Sequence, residues 1–150
     1  MDINNLFQEI INYAHCWNWA PDWFVVKEIY EKIPDSYSVL TPFAYSYLEE
    51  LIRSTTSEYG KVIYDKNGNI KRRKVGLELI KLAKSENSDN TEYILMLDEI
   101  KVYFKESTDL DSGDNRNSTD HGYMHPRYWT KESFENLLYD ISKISKYAMF

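Results

Sequence analysis

Apolar residues return every three or four positions along most of this chain, a spacing that lines one face of a helix rather than one face of a strand. Ile3, Leu6, Phe7, Ile10, Ile11, Ala14 and Trp17 form the first stripe, which Pro21 stops. Asp22 then caps a short helix carrying Trp23, Val26, Ile29, Tyr30 and Ile33, and Pro34 ends it. Thr41-Pro42 reads as the next start, a capping hydroxyl followed by proline in the first helical position. That helix buries Phe43, Ala44, Tyr47, Leu48, Leu51 and Ile52 and runs to about Gly60. A weaker helix turns Leu79, Ile80 and Ala83 inward. Asn90 or Thr91 caps another, faced by Tyr93, Ile94, Leu97, Ile100 and Phe104. The last begins at Thr130 and buries Phe134, Leu137, Leu138, Ile141, Ile144 and Ala148.

One segment breaks the pattern. Lys61-Val62-Ile63-Tyr64 and Ile70-Lys71-Arg72-Arg73-Lys74 flank Asp65-Lys66-Asn67-Gly68, and Asn-Gly is a hairpin turn signal. Only five glycines and four prolines interrupt the 150 residues, which disfavours a β-sandwich with its many turns. The expected fold is all-α: one domain over residues 1–150, a helical bundle with a small β-hairpin insertion around residues 61–74.

Charge and composition narrow the partners. The formal net charge of -6 argues against broad, sequence-blind coating of nucleic acid, although it leaves room for one local basic cleft. Lys71, Arg72, Arg73 and Lys74 make such a patch, read either as an RNA-backbone contact or as a solvated hairpin edge that blocks strand aggregation. The 13 tyrosines serve a core or a wet interface. A single cysteine, Cys16, has no internal disulfide partner and fits a reducing compartment. His15 and Cys16 read as core residues of the first helix. No leader pattern opens the sequence and no run approaches the ~20 apolar residues of a membrane span. A cytoplasmic location without a membrane partner is the expectation.

The chemistry gathers near the C-terminal end, in Arg116-Asn117-Ser118-Thr119-Asp120-His121-Gly122-Tyr123. Arginine keeps its charge and presents a planar fork that suits phosphate oxygens. Histidine moves a proton near neutral pH. Such a pair can cut RNA without a metal, because the 2′-hydroxyl is already tethered beside the phosphorus. On a regular helix, residues five apart point roughly 140° away from each other. Convergence of Arg116 and His121 therefore needs a helix end or a turn. The alternative is a surface arginine followed by a histidine that caps a helix.

The run Arg116-Asn117, two residues, then Asp120-His121-Gly122, then a proline-containing loop and Trp129-Thr130-Lys131-Glu132-Ser133-Phe134 opening a terminal helix, resembles the HEPN superfamily (higher eukaryotes and prokaryotes nucleotide-binding domains). That family is marked by Arg, four to six residues, then His, with a polar residue, often Asn, directly after the Arg. The earlier stretch Tyr47-Leu48-Glu49-Glu50-Leu51-Ile52-Arg53 looks like its core helix bearing Glu and Arg. The resemblance spans roughly residues 40–147 and is specific only in the motif. It implies a homodimeric bundle whose paired motifs line a cleft. Many members are metal-independent endoribonucleases of toxin–antitoxin or phage-defence systems, and others only bind. By that resemblance Arg116 and His121 are catalytic, Asn117, Asp120 and Tyr123 are supporting, and RNA is the substrate. An antitoxin or nucleotidyltransferase partner belongs to the same picture. Tyr123 matches a variant in which that tyrosine is adenylylated, or else is a packing ring.

Other constellations carry less. His121 and His125 need an unbroken helix to share a metal, and Gly122 and Pro126 interrupt it. Asp65-Lys66-Asn67-Gly68-Asn69 lacks the glutamate of a calcium loop, Gly76 standing there instead. Neither a metal nor a cofactor is expected. Glu49, Glu50 and Arg53 pair at helical spacing, read as a structural network from which Arg53 could reach the cleft.

Overall fold

A computed structural model of the chain describes residues 2–107, 111–121 and 125–150. The molecule is mostly helical, as the periodicity requires. The described residues form seven α-helices: α1 (Ile3–Tyr13), α2 (Ala20–Lys32), α3 (Tyr37–Ser54), α4 (Gly76–Glu86), α5 (Thr91–Ile100), α6 (Arg116–Asp120) and α7 (Lys131–Ser145). Short 3-10 turns occupy Pro34–Ser36, Lys101–Phe104 and Pro126–Tyr128.

Helix α3 is the central rod. It packs on α7, α4 and α6, while α1 closes the far side against α7 and α2. Tyr45, Tyr47, Leu48, Leu51 and Ile52 are fully buried on it. Rings fill the space between α2 and α3: Trp23 lies edge-on to both Phe43 and Tyr47, each with centroids 5.1 Å apart. Offset and edge contacts of this kind add to simple area burial. The stripe on α7 buries Phe134, Leu137, Leu138, Ile141 and Ile144 as its spacing demands. Thr130 caps α7 by accepting from the Ser133 amide at 3.1 Å, and Asn90 caps α5 by accepting from the Tyr93 amide at 3.1 Å.

Three boundaries differ from the sequence reading. Helix α2 starts at Ala20, with Pro21 inside its first turn rather than ending α1, and Asp22 makes no cap. Proline costs nothing there, since the first amides have no intrahelical acceptor. Helix α3 begins at Tyr37, so Pro42 sits within it and Thr41 is no cap: its hydroxyl donates to the Tyr37 carbonyl at 2.7 Å. The extra turn buries Leu40 against the core, which offsets the amide that Pro42 lacks. The same helix ends at Ser54, short of Gly60. Ser54, Thr55 and Thr56 turn their hydroxyls back onto the carbonyls of Leu51, Ile52 and Arg53 at 2.7, 2.8 and 2.8 Å, satisfying the acceptors a longer helix would use.

The region around α1 also differs. The helix stops at Tyr13, and residues 15–19 form a turn in which the His15 Nδ1 accepts from the amides of Trp17 and Asn18. Cys16 is exposed and Trp17 is 85% exposed, so neither belongs to the core. The local hydrogen bonds of a histidine-capped turn outweigh the period of the stripe.

Residues 61–74 leave the helical body as an arm. Tyr64 and Ile70 form one isolated antiparallel bridge around a turn in which the Asp65 carboxylate accepts from the amides of Asn67 and Asn69. Among the described residues no strand is formed.

The approach to α6 is fixed by a tight passage. Gly113 has φ +90, and a Cβ there would lie 2.8 Å from the Cβ of Trp129. Its carbonyl accepts from the buried Tyr45 hydroxyl at 3.0 Å, and the Ser112 carbonyl accepts from the Thr130 amide at 2.8 Å. Replacing Gly113 by Ala combines backbone strain with a clash against a buried ring. Gly113→Ala will lose about 2 kcal/mol or more of unfolding free energy in urea titration, whereas Gly68→Ala, whose Cβ meets open space, will lose no more than about 1 kcal/mol.

Candidate functional site

Helix α6 has only five residues, and its brevity decides the geometry. Asn115 caps it, accepting from the amides of Asn117 and Ser118 at 2.8 and 3.2 Å. The other end of the Asn115 side chain donates to the carbonyls of Lys105 and Glu106 at 3.1 and 3.2 Å, which ties α6 to the turn after α5. Arg116 opens the helix. His121 sits just past its end with φ -96 and ψ 2, outside helical geometry. The His121 amide still donates to the Asn117 carbonyl at 3.2 Å, so the helical hydrogen-bonding ends at this residue. Arg116, Asn117 and His121 line one open cleft of about 390 Å³, together with Arg72, Val75, Gly76, Leu77, Glu78, Phe104 and Glu106.

The Arg116 guanidinium is held between two carboxylates. Nη2 donates to Glu49 Oε2 at 2.8 Å. Nε lies 3.0 Å from Asp120 Oδ2 but is not aligned to donate to it. Glu49 itself is buried on α3, 8% exposed, and its second oxygen accepts from the Gly76 amide at 2.7 Å. One carboxylate thus joins the motif arginine to the start of α4. Burying that charge is tolerable because both oxygens are engaged.

Asp120 carries the electrostatic consequence. Loss of solvent around it raises its carboxyl above the usual value, the Glu49 charge adds to the rise, and Arg116 and His121 oppose it. The neutral acid is therefore favoured in the folded protein relative to the unfolded chain. The stability this contributes is complete below the unfolded value and fades as pH rises through the folded one.

The remaining residues expected at the site divide. The Asn117 side-chain amide donates to the Lys105 carbonyl at 2.8 Å, so it braces the turn after α5 while lining the cleft. Ser118 donates to Asp111 and is wholly buried beneath the motif. Tyr123, like Gly122 and Met124, lies outside the described residues. Of the basic arm, Arg72 lines the cleft. Arg73 donates to the Lys61 carbonyl at 2.7 Å, and Lys74 lies 3.7 Å from Glu58. Lys71 is exposed and lines no part of the cleft among the described residues. Arg53 is not among the residues lining the cleft and secures the root of the arm: it donates to the Lys74 carbonyl at 2.7 Å, with Glu50 at 3.2 Å and Glu58 at 3.8 Å. No group of three or more metal-ligand side chains gathers among the described residues. Nor is any helix among them long and apolar enough to cross a membrane.

Two participants escaped the sequence reading. The direct bond from Glu49 to Arg116 joins residues 67 positions apart, and nothing local marks it. Asn115 had a signal, a capping residue directly before the motif, hidden in a run of polar residues that resembles a loop.

No protein-family model, curated protein or solved structure matches the chain.

Removing the Glu49 carboxylate leaves a guanidinium and an amide without their partner. Glu49→Ala will cost about 3 kcal/mol in chemical denaturation. Glu49→Gln removes a negative neighbour of Asp120, so the Asp120 carboxyl titration followed by NMR will move to lower pH; an unchanged titration would contradict the arrangement.

Proposed function

We propose that this protein is a HEPN-like, metal-independent endoribonuclease that acts as a homodimer in a toxin–antitoxin or phage-defence setting. In this reading the arm at residues 61–74 is a β-hairpin insertion in the HEPN-like bundle, and an antitoxin or a nucleotidyltransferase is the partner that restrains it. The observation that carries the reading is that Arg116 and His121 line one open cleft. Asn117 shares the cleft.

The reaction uses the substrate's own nucleophile. A histidine removes the 2′-hydroxyl proton, the oxygen attacks the adjacent phosphorus, and the bond to the 5′-oxygen breaks as that oxygen takes up a proton. Arg116 stabilises the added negative charge on the phosphoryl oxygens. A cyclic phosphate and a 5′-hydroxyl end result. A two-fold pairing would bring two copies of His121 to one groove, one as base and one as acid. With a single copy, the imidazole works with water.

A second reading, a binding module for RNA, nucleotide or protein without turnover, is favoured by one specific observation. Glu49 and Asp120 both stand against the Arg116 guanidinium, so the motif arginine meets a phosphate already partnered. A phosphate would compete with both carboxylates for the guanidinium.

The test is incubation of single-stranded RNA with the purified chain in EDTA. Cleavage will persist, leave 2′,3′-cyclic phosphate ends and fall by at least about a hundredfold in His121→Ala and in Arg116→Ala. Tight RNA binding with no products would favour the second reading. Cleavage that needs a divalent ion, or survives both substitutions, would falsify the first.

A further inference from the structure

Arg72 stands at the junction of two grooves. It lines the cleft of Arg116, Asn117 and His121, and it also lines an adjoining groove of about 350 Å³ with Arg73, Lys74, Val75 and Glu78. The arm that carries it is not free to wander at its root. Arg53 and Glu58, both buried, hold the Lys74 carbonyl and amide at 2.7 and 2.9 Å, and Glu49 holds the Gly76 amide at 2.7 Å. Glu49 also holds Arg116, so the arm and the motif are positioned from the same carboxylate. Among the four basic residues of the arm, Arg73 and Lys74 are committed to holding its shape. The exposed Arg72 is the one that faces the cleft.

We infer that Arg72 binds a second phosphate of the substrate, next to the one at Arg116 and His121, and that the ligand is a single RNA strand running from the arm groove into the motif cleft. The inference rests on the nuclease reading for the identity of the polyanion. A track carrying Arg72 and Arg116 at separate points suits a chain of phosphates rather than a lone nucleotide. Glu78 lines both grooves and Glu106 lines the motif cleft. Glu78 is paired with Lys81 at 2.6 Å, so the negative charge on the track is modest, and it disfavours a duplex, with twice the backbone charge, more than one strand.

The experiment uses the full chain carrying His121→Ala, so that RNA stays intact, and follows fluorescence anisotropy of a labelled single-stranded RNA oligonucleotide and of its duplex in EDTA at several salt concentrations. Adding Arg72→Ala will weaken single-strand binding about tenfold at low salt and reduce the salt slope by about one. Arg72→Lys will keep most of the slope, Lys143→Ala on α7 will change neither quantity, and the duplex will bind more weakly than the single strand. Arg72→Ala binding as its parent does, or a duplex binding as tightly as the single strand, would overturn the inference while leaving the nuclease reading intact. A wild-type chain that binds RNA through Arg72 but never cuts it would sink the nuclease reading and keep this one. Absence of any RNA binding would remove both.

Discussion

The Glu49 carboxylate joins parts of the molecule that lie far apart along the chain. It is buried on the central helix, where an unpaired charge would cost several kcal/mol. The cost is met by assigning one oxygen to the Gly76 amide and the other to Arg116. Gly76 starts α4 two residues after the arm, and Arg116 starts α6. Moving any of these alone would strand a buried partner. The cleft therefore owes its shape to an interaction that satisfies the core as much as to the residues facing solvent. Arg53, one turn further along α3, and Glu58, just past its end, repeat the device.

The same device sets the electrostatic character of the cleft. A guanidinium flanked by Glu49 and Asp120 does not present a bare positive charge. The two carboxylates differ in what surrounds them. Glu49 is fully committed to donors on both oxygens, whereas Asp120 has lost solvent without gaining an aligned hydrogen bond from Arg116. Burial thus favours the neutral form of Asp120, while the Arg116 charge beside it opposes that shift. Arginine retains its charge throughout, so the local balance turns on a carboxyl group and not on the cation.

The sequence revealed the helices well where burial and periodicity agreed, as along Phe134, Leu137, Leu138, Ile141 and Ile144. It misled where short-range chemistry competed with the period. Trp17 fits the stripe of α1, yet His15 caps a turn that throws it into solvent. Pro42 looked like a boundary, but one missing amide did not outweigh the burial of Leu40. Three hydroxyl residues ended α3 before the glycine that seemed its natural stop. At the site, the need for a helix end between Arg116 and His121 was legible from geometry alone. The anchoring of Arg116 on Glu49 was not, because a contact across so long a separation leaves no local pattern. For the basic arm, the sequence identified the charges but could not distinguish Arg72, which lines the cleft, from Arg73, which holds the arm together.

The turn that displaced Trp17 has a practical corollary. It brings the sole cysteine of the chain to the surface, in a segment separate from the residues that line the motif cleft. A maleimide dye or nitroxide will attach at that one position and leave the arginine and histidine untouched. With one spin per polypeptide, a dipolar distance can arise only between copies. Cys16 thus gives a direct ruler for self-association, independent of any turnover assay.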